Sequence, residues 1–467
     1  MKIPSKKTLR IGLAIIAGLL ALFIGATYFL NTAKPRLERQ ASAALGMEVT
    51  CRKLSFSFLP PAIAARGIKI DHNGAQVARI ATIKARLGLP ALIGGRIRIA
   101  VLRVIRPEVI LNRLEDGAWN FEWPEGKNME TSGGRPFLPA KIDLRDGSLL
   151  LTAHDNSLEI RGIELTALDL VLAGNGLSLA GDFRALECRW NELLLRDLTS
   201  HLQGREGRFV FDPVIFQGPG GMGRGRVEAD MTGKIPLIGA HLEMTQFRLG
   251  EFFTAFSREE LLKGNMDLVA DLTARGRDRR ELLRSMDGEF AMRGRNLTIA
   301  GLDLDHLLEE YVQSQKFNLV DLGAYAIVGP LGPFLTKGYD FSGVAGAARG
   351  GSTEVRELLS LWRIEAGTAT AGDVALATGK NRMAMKGRID IVDRLYRNLV
   401  VAVVDDRGCA LVRQEMNGPF DRPEVAKPSF IETAAGPILS LFKGAAKMIT
   451  GEDCEVFYAG AVTAPPG

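Results

Sequence analysis

Residues 266–273 read Met-Asp-Leu-Val-Ala-Asp-Leu-Thr, and every second residue from Met266 to Leu272 is apolar. Side chains of a β-strand point alternately to the two faces of a sheet, so this period of two predicts a strand with one apolar face. The same period recurs at Ile97–Val101, Ile142–Leu144 and Ile389–Ile391, mostly with charged residues between the apolar ones. Charged alternates argue against a parallel sheet buried on both faces, so we expect a mainly β, antiparallel fold.

Turns and helices are expected between these strands. The pairs Asp116-Gly117, Asp146-Gly147 and Asp287-Gly288 predict turns, and Gly46 predicts the end of a short helix that begins at Pro35. Asp303 is predicted to cap a helix rather than to form a catalytic pair with Asp305. Further helices are predicted near Leu249–Leu262, Arg279–Met286, Leu304–Gln315, Val320–Leu335, Glu354–Leu361 and, with an amphipathic pattern, Pro437–Ile449.

An uninterrupted apolar run extends from Ile11 to Leu30, and four basic residues precede it. Twenty helical residues span about 30 Å, which is the thickness of a bilayer core. The basic residues before the run place the N-terminus in the cytoplasm, so residues 1–10 are predicted to be a cytoplasmic tail and residues 11–30 a single transmembrane helix. The alternative is a cleaved signal peptide, whose apolar core is usually shorter.

No chemistry of catalysis or metal binding is apparent in the sequence. Five scattered histidines show no metal-binding spacing, and there is no Cys-x-x-Cys pair. The glycine-rich stretch Gly218–Gly223 is followed by another strand pattern, which predicts a turn rather than a dinucleotide site. We therefore expect no enzyme activity, no cofactor and no metal. The net charge of +5 could favour nucleic acid, but a position behind a membrane anchor makes that partner improbable.

The four cysteines allow two interpretations. Cys409 and Cys454 lie in strand-like segments near the end of the chain and are the natural candidates for a disulfide in an oxidising compartment. Alternatively, all four are buried thiols.

The order of several short motifs resembles the AsmA-like proteins of the Gram-negative envelope. Near the N-terminus these are Leu45-Gly46, the Pro60-Pro61 step, the stretch from Leu87 to Ile97, and Trp119-Asn120-Phe121. In the C-terminal half they run from Leu272-Thr273 to Gly418–Pro423. The expected division is an AsmA-like N-terminal region at 31–125, a linker at 126–140, a central β region at 141–245, an AsmA-like C-terminal region at 246–425, and an amphipathic helix with a C-terminal strand at 426–467.

This resemblance, to the bridge-like lipid-transfer group, implies an inner-membrane anchor followed by an elongated, curved antiparallel β-sheet groove in the periplasm. The groove would carry phospholipid towards the outer membrane, and its C-terminal end would meet that membrane or one of its proteins. The candidate lining residues are Ile97, Ile99, Val109, Leu111, Ile142, Leu144, Leu268, Leu272, Phe290, Met292, Ile389, Ile391, Val401 and Val403.

Three functions remain open from the sequence. A lipid conduit, or an accessory to one, is the first. The second is a non-enzymatic assembly factor or scaffold that binds outer-membrane proteins through exposed strand edges. The third is a hydrolase whose carboxylates only the fold would bring together. Alternation alone does not distinguish an open groove from the core of a closed sandwich.

Overall fold

The structure is a computed structural model that describes residues 32–88, 98–113, 119–121, 138–153, 156–173, 176–191, 193–251, 262–301, 303–306, 308, 319, 351–430 and 456–465. The chain divides into two compact units, unit 1 at Met1–Phe211 and unit 2 at Asp212–Gly467. Both are mainly β. Strand β9 (Arg208–Gly218) contains the division between the units.

The first described element of unit 1 is helix α1, residues 32–45, which ends as predicted at Gly46 with a positive φ of 69°. Its strands are β1 (Glu48–Phe58), β2 (Pro61–His72), β3 (Ala75–Leu87), β4 (Ile99–Asn112), β5 (Lys141–Ala153), β6 (Asn156–Ala173), β7 (Gly176–Trp190) and β8 (Leu193–Arg205).

Consecutive strands of unit 1 pair with each other, antiparallel in every case but one. Strands β4 and β5 are parallel, with Val109 opposite Leu149, so the expectation of a purely antiparallel sheet was wrong at this pair. A parallel pair needs a long crossover, and the chain between Asn112 and Lys141 is long enough to supply it. Asn120 anchors this crossover, because its side chain accepts from the Asn112 N–H and donates to the Ile110 carbonyl.

Unit 2 contains a longer series of strands and helix α2 (Arg279–Arg284), which confirms the helix predicted near Arg279. Asp278 caps it by accepting from the Glu281 N–H. The strands are β10 (Gly221–Asp230), β11 (Leu237–Arg248), β12 (Leu262–Lys263), β13 (Asn265–Arg275), β14 (Asp287–Ala300), β15 (Ser352–Glu365), β16 (Thr368–Ala377), β17 (Arg382–Asp390), β18 (Leu395–Val404), β19 (Ala410–Pro419), β20 (Glu424–Val425) and β21 (Ser429–Phe430).

The strands of unit 2 pair antiparallel throughout the described residues. Strand β11 pairs with β13, and the short strand β12 pairs with β14. From β13 to β19 each strand pairs with the next along the chain. The turn between β9 and β10 lies at residues 219–220, within the glycine-rich stretch Gly218–Gly223, as predicted.

The core of unit 2 is closed on both faces of β16 to β18. One face carries a row of aliphatic residues, each at most 2% exposed, namely Leu358, Leu376, Met383, Val403 and Val412. Leu304, Leu308 and Leu319 are equally buried, and the Leu319 N–H donates to Gln414, next but one to Val412. Alanines fill the other face, against which Tyr458 and Val462 of the C-terminal segment pack.

Three local predictions differ from the structure. Residues Glu354–Leu361 belong to strand β15 rather than to a helix. Their burial shifts phase between Val355 and Leu358, and that shift produces an apparent helical spacing. Asp146-Gly147 and Asp287-Gly288 lie inside β5 and β14 rather than in turns.

Other predictions have mixed outcomes. Asp303 accepts from the His306 N–H, which confirms its role as a helix cap. Asp305 accepts from Thr378 and Asn381, so its side chain has structural partners. The Ile11–Leu30 anchor, the linker up to residue 137 and the Pro437–Ile449 helix lie outside the described residues. Among the described residues, no helix combines the length and the hydropathy needed to cross a membrane.

Candidate functional site

Unit 1 carries a transverse row of apolar residues that crosses eight strands. Starting from β1, the residues directly opposite one another are Val49, Ile70, Ala78, Val109, Leu149, Ile160, Cys188 and Leu195. We call this set the Val49 row. Seven strand spacings of about 4.8 Å make it about 34 Å long. Such a row forms a continuous apolar strip perpendicular to the strands.

The adjacent row, one residue along each strand, is polar at every position. It consists of Thr50, Lys69, Arg79, Glu108, Ser148, Arg161, Glu187 and Arg196. Adjacent residues of a strand point to opposite faces. Unit 1 is therefore a sheet with one apolar and one charged face at this level.

A second apolar row, the Leu54 row, runs parallel to the first. Its members are Leu54, Ala65, Ile83, Val104, Leu144, Leu165, Phe183 and, at β8, Ser200. On β1 the apolar positions change from odd numbers at Val49 to even numbers at Leu54. The same change of phase occurs on the other strands, for example between Val109 and Val104 on β4.

A line of unusual backbone conformations explains the change of phase. Gly67, Arg106, Asp146, Gly162 and Asp197, on β2, β4, β5, β6 and β8, all have φ between 48° and 63°, and the register places them at one level of the sheet, between the Val49 and Leu54 rows. A left-handed residue interrupts the alternation of side chains, as a β-bulge does. Since the apolar positions change phase at the same place, both rows keep their apolar side chains on one face. We call this line the phase-shift line.

The apolar face of unit 1 is open in the described structure. In each of the two rows six of the eight residues are only half-buried, including Val109 and Val104. The equivalent row of unit 2 around Val403 is at most 2% exposed, because other residues cover it. A contiguous exposed apolar surface marks an interaction or ligand-binding site. The face formed by the Val49 and Leu54 rows is therefore the candidate functional site.

Family membership follows from a comparison with known proteins. The AsmA family model matches residues 5–130 and 168–374, well over half of the sequence. The chain belongs to the AsmA family. No curated protein and no solved structure matches it.

The two segments matched by the AsmA family do not coincide with the strands of the apolar face. Strands β1 to β4 lie within residues 5–130, whereas β5 lies between the matched segments. The second segment begins within β6 and ends in β16. The central region, for which the sequence motifs gave only a strand pattern, is thus largely part of the AsmA match.

The predicted lining residues fall into two groups in this AsmA-family chain. Those that are half-buried are Ile99, Val109, Leu111, Ile142, Leu144, Leu268, Leu272 and Ile391. Those that are buried, at most 9% exposed, are Phe290, Met292, Ile389, Val401 and Val403. Ile97 lies outside the described residues. Val109 belongs to the Val49 row and Leu144 to the Leu54 row, so the structure brings these two onto one open face.

Most residues of this face did not appear among the predicted ones. Val49, Ile70, Ile83 and Phe183 belong to it, yet none stands in a conspicuous alternating run. Their partners across the sheet identify them, and those partners depend on the register of eight strands. The positive-φ residues Gly67 and Asp146 were the available signal, because glycine and aspartate in a strand pattern indicate a local interruption.

Electrostatics separates the two faces of the sheet. On the charged face Asp143 accepts from Arg103 at 2.8 Å and from Arg145 at 3.0 Å. Burial opposes ionisation of this carboxyl, but the two arginines outweigh it, and the pKa of Asp143 is lowered. On the apolar face burial raises the pKa of the Cys188 thiol, so the neutral form is favoured there. The apolar rows thus present no charge.

Helix α1 covers one edge of the sheet. Glu38 accepts from the Cys51 N–H at 2.7 Å, and Ser42 accepts from the Val49 N–H at 2.9 Å. These two side chains satisfy outward-facing donors of β1, which an uncovered edge strand would present to other proteins.

Cysteine and metal chemistry add little to this site. Cys409 is disulfide-bonded, whereas Cys51 and Cys188 are free thiols. Cys454 lies outside the described residues, so its pairing with Cys409 stays a prediction. The described part of the chain contains no group of three or more residues that could hold a metal ion.

Proposed function

We propose that this chain is an inner-membrane-anchored periplasmic protein that conducts, or helps to conduct, phospholipid towards the outer membrane. Acyl chains would lie on the apolar face of unit 1 while headgroups stay in water. The role is non-enzymatic, and the Ile11–Leu30 segment supplies the anchor. Membership of the AsmA family is compatible with this role in the envelope.

One observation carries the proposal, namely the half-buried state of the Val49 and Leu54 rows. Each methylene group removed from water contributes about 0.8 kcal/mol, so ten methylenes placed on this face would gain about 8 kcal/mol. That gain offsets much of the cost of taking an acyl chain out of a bilayer. A continuous strip about 34 Å long would let an acyl chain move along the face while it stays in contact with apolar side chains.

A photocrosslinking experiment in living cells tests the proposal. The photoreactive amino acid p-benzoylphenylalanine replaces Val109 in one variant and Glu108 in another. These neighbours lie on opposite faces of β4, Val109 in the Val49 row and Glu108 in the adjacent polar row. After irradiation the protein is denatured, and mass spectrometry identifies covalent adducts. We expect phospholipid adducts at position 109 and a several-fold lower yield at position 108.

The possible results separate the candidate functions. Equal lipid yields at the two positions, or no lipid at either, would contradict the conduit. Protein adducts at position 109 without lipid would favour the alternative of an envelope assembly factor that binds outer-membrane proteins.

A further inference from the structure

Helix α1 runs antiparallel to β1, and this orientation identifies the end of the unit 1 sheet that lies nearest to the start of the helix. Ser42 contacts the backbone at Val49 and Glu38 contacts it at Cys51, so helix numbers decrease as strand numbers increase. The start of α1, at residue 32, lies about 9 Å from Glu38 along the helix axis, in the direction in which the β1 residue numbers increase. The chain before α1, which contains the proposed anchor, therefore enters on the side of Phe58, the end of β1, and not on the side of Glu48.

Several chain turns lie at that same end of the sheet, which we call the membrane-facing end. Phe58 pairs with Pro61 across the turn that holds Leu59. Leu87, at the end of β3, pairs with Ile99. Ile99 accepts from the Ala140 N–H, and the next residue, Lys141, pairs with Leu168. The β1–β2 turn and the β6–β7 hairpin therefore lie at one end of unit 1.

Large apolar side chains are exposed at this end. Leu59 is 90% exposed, Val171 is 53% exposed and Leu168 is 42% exposed. Val171 lies three residues beyond Leu168 in β6, and Leu168 is level with the start of β5. Val171 thus lies beyond the start of β5, the strand that pairs with β6 on that side. Exposed aliphatic residues at turns and projecting strand ends are typical of segments that enter the interface of a bilayer.

Basic side chains accompany them at the same end. Exposed there are Arg86 near the end of β3, Arg98 just before β4, and Arg205 at the end of β8, with Asp169 and Glu206 as nearby acids. Arginine at a bilayer surface interacts with anionic headgroups while its alkyl stem contacts apolar groups. Aliphatic side chains and arginines at the same end of a sheet are the combination that a phospholipid surface binds.

We propose that the membrane-facing end of unit 1 rests on the bilayer that holds the anchor, with Leu59 and Val171 entering its interface. This inference depends on the proposed anchor at Ile11–Leu30. It places the Leu54 row nearer to the bilayer and the Val49 row further away. A phospholipid leaving the bilayer would then reach the apolar face through this end.

The full-length chain in nanodiscs of phosphatidylethanolamine and phosphatidylglycerol tests the inference. The photoreactive amino acid replaces Leu59 or Val171, and Arg189 serves as the control position. Arg189 is exposed on β7 but pairs with Glu159 and Leu194, near the opposite end of the sheet. We expect lipid adducts at positions 59 and 171 in several-fold higher yield than at position 189. Equal yields at all three positions, or none, would overturn the inference.

The same nanodiscs distinguish this inference from the proposed function. Adducts at positions 59 and 171 without adducts at Val109 would support a membrane-facing end but contradict lipid conduction. Adducts at Val109 without adducts at 59 and 171 would support conduction and overturn the membrane-facing end. As a second test, the Leu59→Asn, Val171→Asn double variant should lower the adduct yield at Val109 several-fold, whereas Arg189→Asn should leave it unchanged.

Discussion

The difference between an open and a closed apolar face can be tested with one substitution made at two places. Val104 lies in the Leu54 row of unit 1 and is half-buried, whereas Val403 in unit 2 is 1% exposed. We consider the replacement of each of these two valines by aspartate. At Val403 the loss of buried valine costs about 1.5–3 kcal/mol, and an unpaired buried carboxylate costs about 3–5 kcal/mol more. The sum approaches the whole free energy of unfolding of a domain, about 5–15 kcal/mol.

At Val104 the carboxylate can stay hydrated, because the side chain already contacts water. The expected cost is the partial loss of apolar contact, about 1 kcal/mol. The free energy of unfolding is measured by urea denaturation with far-ultraviolet circular dichroism. Lipid binding is measured as the adduct yield of the photoreactive amino acid at Val109. We expect Val104→Asp to fold and to lose most of the lipid adducts, and Val403→Asp to lose most of the structure of unit 2.

Ile105→Asp is the control, since Ile105 is the neighbour of Val104 and points to the charged face. It should leave the adduct yield unchanged. If Val104→Asp unfolds the protein as completely as Val403→Asp does, the face of unit 1 is covered and the reasoning fails. If Val104→Asp folds and still acquires lipid at the normal yield, the Leu54 row is not on the path of the lipid.

Three further predictions concern stability and covalent structure. Gly225→Ala should destabilise unit 2 by about 1–3 kcal/mol in urea denaturation, because the added Cβ would clash with the His241 carbonyl oxygen. Gly379→Ala has open space and should be neutral. Asp143→Asn should lower the free energy of unfolding at neutral pH. The difference from wild type should vanish as the pH falls through the lowered pKa of Asp143, because the carboxyl is then protonated in both the folded and the unfolded chain. Urea midpoints at several pH values measure this. Thiol titration of the denatured chain should count two thiols before reduction and four after it, and peptide mapping should join Cys409 to Cys454. Four thiols or none before reduction, or any other linked pair, would contradict the pairing.

The sequence predicted the class of the fold because the alternation of apolar and polar residues within each strand shows which face of that strand is buried. Alternation at residues 266–273 and at Ile142–Leu144 reports one apolar face, and both segments are strands. The end of α1 was also predicted, since Gly46 acts on its immediate neighbours. Signals of this kind need no knowledge of the rest of the chain.

The phase-shift line could not be predicted in the same way. Asp146-Gly147 was interpreted as a turn, because aspartate and glycine favour positive φ. The preference was correct, as Asp146 has a φ of 53°, but the strand continues through it. Only the positive-φ residues on the adjacent strands, Arg106 and Gly162, show that the interruption extends across neighbouring strands of the sheet. Their alignment depends on pairing between strands, which a single strand does not encode.

The residues between the apolar ones distinguish the two units more clearly than the apolar residues do. In unit 2, residues 374–377 read Val-Ala-Leu-Ala and residues 401–404 read Val-Ala-Val-Val, so both faces of these strands must be covered. In unit 1 charged residues such as Arg79 and Glu108 separate the apolar ones, so only the apolar face of the sheet has to be shielded from water. The described residues leave much of that face half-buried. A sheet of eight strands that exposes such a surface to water is costly unless something apolar occupies it, and the acyl chain of the proposed function would meet this need without closing the face permanently.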